Sequence, residues 1–525
     1  MKEYKNRIII KKSYIEEHNG LYRMITPIIE NGKEYEVYVE VEEKYSKYLC
    51  VERADAQLYL TLPVALREGY DIYSETPITE MFLHNLREVL IPHLVLGDKR
   101  IYPSKIYAET ANTSLGGVGV GTAISCGVDS EFALKQYSNS QYDGMNLTHL
   151  FIASVNMELI DTKNADLLQW INEHKEEFER YEVVSKKTGL PLVKMYTNYF
   201  YYLCGKDYKR DWKSYHHLFV HHYITMGAVL AIKKLWRIYY FASSYDFTSF
   251  NLKNNLTNDP AHYEVLCMHI LGVPDFTCFS AGASYNRYEK TKLLADYDLA
   301  QMTLHPCHHK GKINCSQPDC DKCLRALATF DILDKLDNFK NVFDIERYRK
   351  EHFKYLYNIV KFYNNNFTRQ FYEEIYQFIK VKYPEKIKEA EELFAWESSP
   401  TVPKWQYNVV SNSYDLVLTL LSMENAASVL INFFTNLNAK NVYLCGAPRL
   451  TKAIETLLKK YPAEIKVYNW RTRQAKNCDI CFIGDSAESI IEKKKVELVN
   501  SGVNKEKIYS FIDLKNFLTH LTGKK

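Results

Sequence analysis

The sequence predicts an α/β protein. A central domain with a parallel, Rossmann-like sheet carries a four-cysteine zinc knot, with an N-terminal α+β domain before it and a small Rossmann-like domain after it. Three observations carry this reading. From about 111 to 345, short apolar runs alternate with helical periodicity, the pattern of parallel strands linked by crossover helices. At Ala123–Leu134 an apolar run turns sharply through Ser125-Cys126-Gly127-Val128-Asp129-Ser130 into a helix. Between Cys307 and Cys323, four cysteines fall within 17 residues. The expected divisions are 1–110, 111–345, a helical connector at 346–430, and 431–525.

Composition narrows the class. The chain is long enough for several domains, each with its own core. Hydrophobic content of 46% and charged content of 25% are those of a globular protein. A formal charge of +3 gives no global electrostatic case for nucleic acid, although a local basic patch stays open. The run Ile8-Ile9-Ile10 is too short for a signal-peptide core, and no stretch reaches the roughly 18 apolar residues of a transmembrane helix. A cytoplasmic location without a membrane partner is expected. The twelve cysteines then point to thiols and metal ligands rather than a disulfide framework. Nothing in the composition indicates an oligomeric state.

In the N-terminal region Tyr35–Val41 alternates as a half-buried strand. Pro77–Leu96 reads as a helix with Met81, Phe82, Leu86, Val89 and Leu90 on one face. This region has no catalytic constellation and reads as scaffold. In the central region Val118, Val120, Ala123 and Ile124 lead into the sharp turn. A strand is expected near Leu150–Val155, and a helix at Ala165–Gly189 stopped by Gly189-Leu190-Pro191. Then come a strand at Leu192–Tyr196, a helix at His217–Leu235, and a strand at Ile238–Ala242 ending in Ser243-Ser244. Such sheets bind ligands beyond the carboxyl ends of their strands, so loops 125–130 and 243–246 are expected to share one edge. His217 and His221 would share a helix face. With no acidic or Cys ligand nearby, His216, His217, His221 and His222 read better as polar residues lining a cleft than as a metal pair.

Residues 346–430 look helical and charged, with Glu385–Leu393 a solvated face and Pro400 and Pro403 a break. The last segment reads as strands at Asn441–Gly446, Ile465–Tyr468, Ile480–Ile483 and Ile508–Phe511, with helices at Leu450–Lys460 and Glu488–Asn500. Gly446-Ala447-Pro448 lacks the further glycines of a dinucleotide fingerprint, and Asn469-Trp470 supplies no acid for a ribose. No dinucleotide is expected there.

Two stretches carry chemistry. A strand turning onto a helix N-terminus aims backbone N–H groups at one spot, which favours an anion, and a Gly lets the backbone approach a phosphate. The plain alternative is a strand–turn–helix with a Ser cap. The second stretch is Cys307, Cys315, Cys320 and Cys323, spaced C-x7-C-x4-C-x2-C. Four thiolates make a tetrahedral soft site suited to Zn²⁺, with an iron–sulfur cluster as the lesser alternative. Gly311, Pro318 and Asp319 supply turns, and a helix starts at Leu324-Arg325-Ala326-Leu327.

The turn resembles the Ser-Gly-Gly-x-Asp-Ser loop of the PP-loop ATP pyrophosphatases. Ser125, Gly127, Asp129 and Ser130 match, and Cys126 stands where the family usually has its first Gly. The Arg-x-Glu-Lys stretch at Arg287–Lys290 and the knot ending Cys-x-x-Cys-x-Arg are similar to those of 7-cyano-7-deazaguanine synthase-like proteins. The likeness covers 111–345. Departures are Cys126, a wider gap between the second and third cysteines, and the extra flanking domains, which leave the substrate open. The resemblance implies an ATP-dependent ligase-type enzyme. A carboxylate or amide oxygen of a small molecule attacks the α-phosphorus, pyrophosphate leaves, and a nitrogen nucleophile displaces AMP. It implies ATP contacts from Ser125, Cys126, Gly127, Val128, Asp129, Ser130, Ser243 and Ser244, and Mg²⁺ on Asp129. Asp129, Ser130, Arg287 and Lys290 are the implied catalytic set, although Arg287 and Lys290 read equally well as ion-pair partners. Asp129→Asn is then expected to leave the fold almost unchanged. Two other functions remain open: ATP-driven sulfur transfer, with tRNA one acceptor and Cys204, Cys267 or Cys278 the thiol, and a non-catalytic adenine-nucleotide-binding subunit.

Overall fold

The computed structural model describes residues 6–155, 165–204, 216–253, 259–397, 426–446, 454–455, 465–469, 478–484, 488–510 and 513–514. The chain divides into two units, Met1–Cys315 with Thr329–Phe343, and Ser316–Ala328 with Asp344–Lys525.

In the first unit, β1 (Arg7–Ile10), β2 (Tyr14–His18), β3 (Leu21–Glu30) and β4 (Lys33–Glu42) form an antiparallel ladder around β3. Strand β5 (Asp71–Ser74) runs parallel to β1, while β6 (Ile78–Thr79) forms a separate parallel pair away from the main sheet. Next come β7 (Ile106–Tyr107), which extends the sheet beside β5, and β8 (Thr110–Ala111), the partner of β6. The remaining strands are β9 (Gly119–Ala123), β10 (His149–Ala153), β11 (Leu192–Thr197), β12 (Trp236–Ala242) and β13 (Thr277–Ala281). The order is β13-β12-β9-β10-β11-β4-β3-β1-β5-β7, with β2 beside β3.

The last five strands are mutually parallel, as the alternation of strands and helices predicts. The sheet as a whole is mixed, because β11 pairs antiparallel with β4. Strands from both sides of residue 110 therefore form one continuous sheet. This changes the reading of Tyr35–Val41 in its second part, where Val37–Val41 is buried on both faces, while Tyr35 is half-buried and Glu36 exposed. Val37, Val39 and Val41 join one core and Tyr38 the other. Glu40 is fully buried, its charge met by Arg23 at 2.8 Å, as a buried carboxylate requires.

Close packing of β9 on β12 depends on small residues. A Cβ on Gly121 would lie 2.5 Å from the Trp236 ring. One long helix escapes the sequence pattern: Asp55–Glu68 is buried along most of its length and packs against His216–Ala231. A helix buried on nearly every side, polar Asp55, Gln57 and Thr61 included, has no clear amphipathic period to read. The helix expected at Pro77–Leu96 is interrupted. It forms as Glu80–Asn85, a wide turn at Leu86–Leu90, and Ile91–Gly97. Pro92 lacks the N–H that a regular turn needs there. Phe82, Leu86 and Leu90 are buried, but Met81 is 46% exposed. The segment after 165 forms two helices, Leu167–Glu173 and Lys175–Thr188, and ends on Gly189 in the left-handed region.

The second unit contains helices Ile345–Lys350, His352–Tyr363, Glu373–Lys382, Pro384–Glu397 and Ala426–Asn436. It also holds a small parallel sheet of β14 (Asn441–Gly446), β15 (Lys466–Asn469), β16 (Ile480–Gly484) and β17 (Ile508–Ser510), in the order β15-β14-β16-β17. The Pro400/Pro403 break, Trp470 and most of Leu450–Lys460 lie outside the described residues. No helix among the described residues is long and apolar enough to cross a membrane.

Candidate functional site

From β9 the chain proceeds outward to β10 and β11, then returns to the other side of β9 as β12 and β13. That reversal opens a crevice beyond the carboxyl ends of β9 and β12, where sheets of this kind place ligands. Ile124–Gly127 leaves β9 into this crevice, and Ser243-Ser244 leaves β12.

The helix after β9 spans Val128–Tyr137, so Asp129 and Ser130 stand in its first turn. Its N-cap is Gly127, which has no side chain to satisfy the first-turn N–H groups. Ser125 is therefore not the cap. Its hydroxyl lies 3.2 Å from that of Ser130, whose Oγ also donates to the Gly127 carbonyl at 3.0 Å. The Val128 side chain is buried, so only its backbone is available to a ligand. The residue needing glycine-like freedom is Cys126, at φ +57. Its side chain is fully buried and faces Glu131, and burial pushes its thiol well up. The Cys126 carbonyl accepts from the His305 N–H at 2.6 Å.

Arg287 and Lys290 reach the loop from the helix Arg287–Leu294, whose start explains part of the Arg-x-Glu-Lys pattern. Glu289 and Asn286 form a reciprocal capping box, which aims the two cations. Arg287 Nη2 lies 2.8 Å from Asp129 Oδ2 and 3.3 Å from the Ser244 carbonyl. Lys290 Nζ lies 3.4 Å from Asp129 Oδ1 and donates to the Ser243 carbonyl at 2.6 Å. Lys290 is 0% exposed, and burial pulls its pKa down against the pull of Asp129. A Cβ on Gly282, at φ +83, would come within 3.0 Å of Lys290 Cε. Ser125–Ser130, Ser243, Ser244, Arg287 and Lys290 thus share one edge of the sheet. Toward the two cations, Ser243 and Ser244 present carbonyl oxygens.

Two further residues belong to this edge. Glu264 opens the helix Glu264–Leu271, is 2% exposed, and accepts from Ser280 Oγ at the end of β13. Burial raises its carboxyl to about 7, opposed by hydrogen bonds and by Lys290. The available signal was a lone Glu heading the apolar run Val265-Leu266-Cys267-Met268. The short strand Thr277–Ala281 gave none. A separate cleft of about 460 Å³, lined by Thr79, His84, Lys233 and Asp275 among others, lies toward the amino ends of β12 and β13.

Cys307, Cys315, Cys320 and Cys323 place their sulfurs within 4.8 Å of one another, and among the described residues they form the one group able to hold a metal ion. Cys307 Sγ accepts the His309 N–H at 3.3 Å and the Cys315 N–H at 3.5 Å. Four sulfurs and no open position fit a structural zinc site. His222 is buried, bonded through Nδ1 to Tyr59 at 3.1 Å, and held down to about 3 chiefly by burial. His221 lies 3.9 Å from Asp259, and the side chains of His216 and His217 lie outside the described residues. Cys267 and Cys278 are buried with their thiols raised, Cys267 to about 12, which lends sulfur transfer through them no support.

No protein-family model, curated protein or solved structure matches this chain.

Proposed function

We propose that the chain is an ATP-dependent ligase-type enzyme of the PP-loop kind, which splits ATP to AMP and pyrophosphate. One observation carries the reading: an uncapped helix N-terminus, Arg287 and Lys290 converge on Asp129 at the switch point of the parallel strands. Oriented N–H groups and two cations are what a departing pyrophosphate needs. Arg287 offers a planar fork to phosphate oxygens, and Lys290 offers a point charge. Asp129 holds both in place. In this reading a carboxylate or amide oxygen of a small molecule attacks the α-phosphorus. The bond from that phosphorus to the bridging oxygen breaks, and the electron pair leaves with pyrophosphate. A nitrogen nucleophile then displaces AMP. Ser125 and Ser130 add hydroxyl donors around the loop. Magnesium, arriving with the nucleotide, would supply positive charge at the phosphates, with Asp129 the carboxylate nearest to hand. The four cysteines would hold a structural Zn²⁺ apart from the chemistry.

The test is nucleotide analysis by mass spectrometry after incubating the protein with ATP, magnesium and a pool of small carboxylic acids and amides with ammonia. AMP with pyrophosphate supports the reading, and ADP as the product overturns it. Tight ATP binding without turnover in any pool would favour the nucleotide-binding subunit instead.

A further inference from the structure

Between the helices Asp298–Thr303 and Asp321–Ile332 the chain forms no helix or strand, and this stretch carries Cys307, Cys315 and Cys320. No ladder of backbone bonds fixes its course, so side chains must. Asn314, 1% exposed, does part of this. It accepts from the Cys307 N–H at 3.2 Å and donates to the carbonyls of Leu304 at 2.9 Å and Val342 at 2.8 Å. A metal ion on the four sulfurs, which lie within 4.8 Å of one another, would fix the rest, because filling such a site and ordering its ligands are coupled.

The beginning of this stretch grips the loop at Ser125–Ser130. The His305 N–H donates to the Cys126 carbonyl at 2.6 Å. Two residues earlier, Thr303 Oγ1 donates at 2.8 Å to Glu131, the carboxyl that the Cys126 thiol also meets. In a trans peptide the carbonyl and the following N–H point opposite ways. Holding the Cys126 carbonyl toward His305 therefore aims the Gly127 N–H away from it, where it reaches Ser125 Oγ at a long 3.4 Å. Cys126 has φ +57, which is disfavoured for a residue with a Cβ. Strain of this kind persists only where neighbours hold it. Freed of His305, Cys126 would relax, and the Gly127 N–H would turn with its peptide plane.

We infer that a metal ion on the four cysteines positions the phosphate loop through the His305 N–H, so that the metal and a polyphosphate bind with positive cooperativity. The inference rests on the reading under Proposed function. His305, two residues before Cys307, is a positioning residue that acts by its backbone. The metal stays outside the bond-making steps, and its effect reaches the anion as the aim of one N–H group at the helix N-terminus.

The experiment is calorimetry of inorganic pyrophosphate on the full chain, zinc-loaded and zinc-stripped, with zinc affinity measured by chelator competition with and without saturating pyrophosphate. Zinc should tighten pyrophosphate binding by about 5- to 150-fold, and pyrophosphate should tighten zinc binding by the same factor. Zinc affinity unmoved by pyrophosphate, or a chain that takes up no zinc, overturns the inference while leaving phosphate binding intact. His305→Pro removes the N–H and keeps all four thiols. Leu304, at ψ 117, already has the extended backbone that a following proline requires. This variant should still bind zinc and lose the cooperativity, whereas His305→Ala, which keeps the N–H, should retain most of it. Proline and alanine variants alike in cooperativity overturn the inference. Should His305→Pro not fold, hydrogen exchange on the parent decides. The His305 N–H should be protected in the loaded chain and exchange once zinc is removed, and unchanged protection overturns the inference. If the loaded parent binds no pyrophosphate, the proposed function falls and this inference with it.

Discussion

Lys290 Nζ stands 3.4 Å from Asp129 Oδ1, across 161 residues of chain, and its side chain is almost wholly buried. A buried charge that loses its partner costs more than the pair gave. The sequence suggests that Asp129→Asn would spare the fold, but the structure says otherwise. Because Asp129 is partly exposed, the expected loss is about 1–3 kcal/mol, a fall of several degrees in Tm. Pyrophosphate, as a replacement counter-ion for Arg287 and Lys290, should restore part of it. Thermal denaturation with and without pyrophosphate checks this, and an unchanged Tm in the variant would show that the ion pair does not form.

Cys126 combines two opposed effects. Its φ of +57 costs about 1 kcal/mol relative to glycine, while its buried thiol fills space that a smaller residue would leave empty. Cys126→Gly relieves the first and loses the second, so stability should stay within about 1 kcal/mol of the parent. Cys126→Ala keeps the backbone cost and loses the thiol, and should be about 1–2 kcal/mol less stable than the parent. Denaturant titration decides, and an alanine variant as stable as the glycine variant contradicts the account.

The four-sulfur cluster should bind about one zinc per chain, since site formation and folding are coupled. Cys320→Ser should abolish most of the metal content and lower the Tm, and a strong chelator should do the same to the parent. A fully stable parent free of both zinc and iron by elemental analysis would end this assignment.

Glu131 is fully buried, and burial lifts its carboxyl from 4.5 to about 7, against hydrogen bonds from Thr303 and Cys126. Over that interval the folded chain holds a proton that the unfolded chain has released. Its contribution to stability is complete below about pH 4.5 and is lost as pH rises through about 7. Glu131→Gln, neutral at every pH, should therefore gain on the parent by about 2–4 kcal/mol between pH 4 and pH 8. Glu264 adds a similar slope of its own, which the variant should retain. A stability difference independent of pH would show Glu131 to be ionised in the fold.

The sequence by itself determined the local elements and the places where chemistry could occur. Alternating apolar runs and helical periods are properties of neighbouring residues, so the strands β9 to β12 and the turn at Ser125–Ser130 could be read directly. Four cysteines in 17 residues likewise have few ways to avoid one another. The tertiary structure decided what depends on distant partners. Val37–Val41 is buried on both faces because a separate cluster packs on each, with Val37, Val39 and Val41 in one and Tyr38 in the other, and local periodicity does not encode that packing. Asp55–Glu68 lost its helical signature because neighbours cover it on nearly every side. Arg287 and Lys290 could have been surface ion-pair partners until the fold set them against Asp129. Glu264 became part of the site only when an unforeseen strand, Thr277–Ala281, brought Ser280 beside it. Burial and charge pairing are sums over the whole fold, and for that reason the state of these four side chains could not be read from the chain alone.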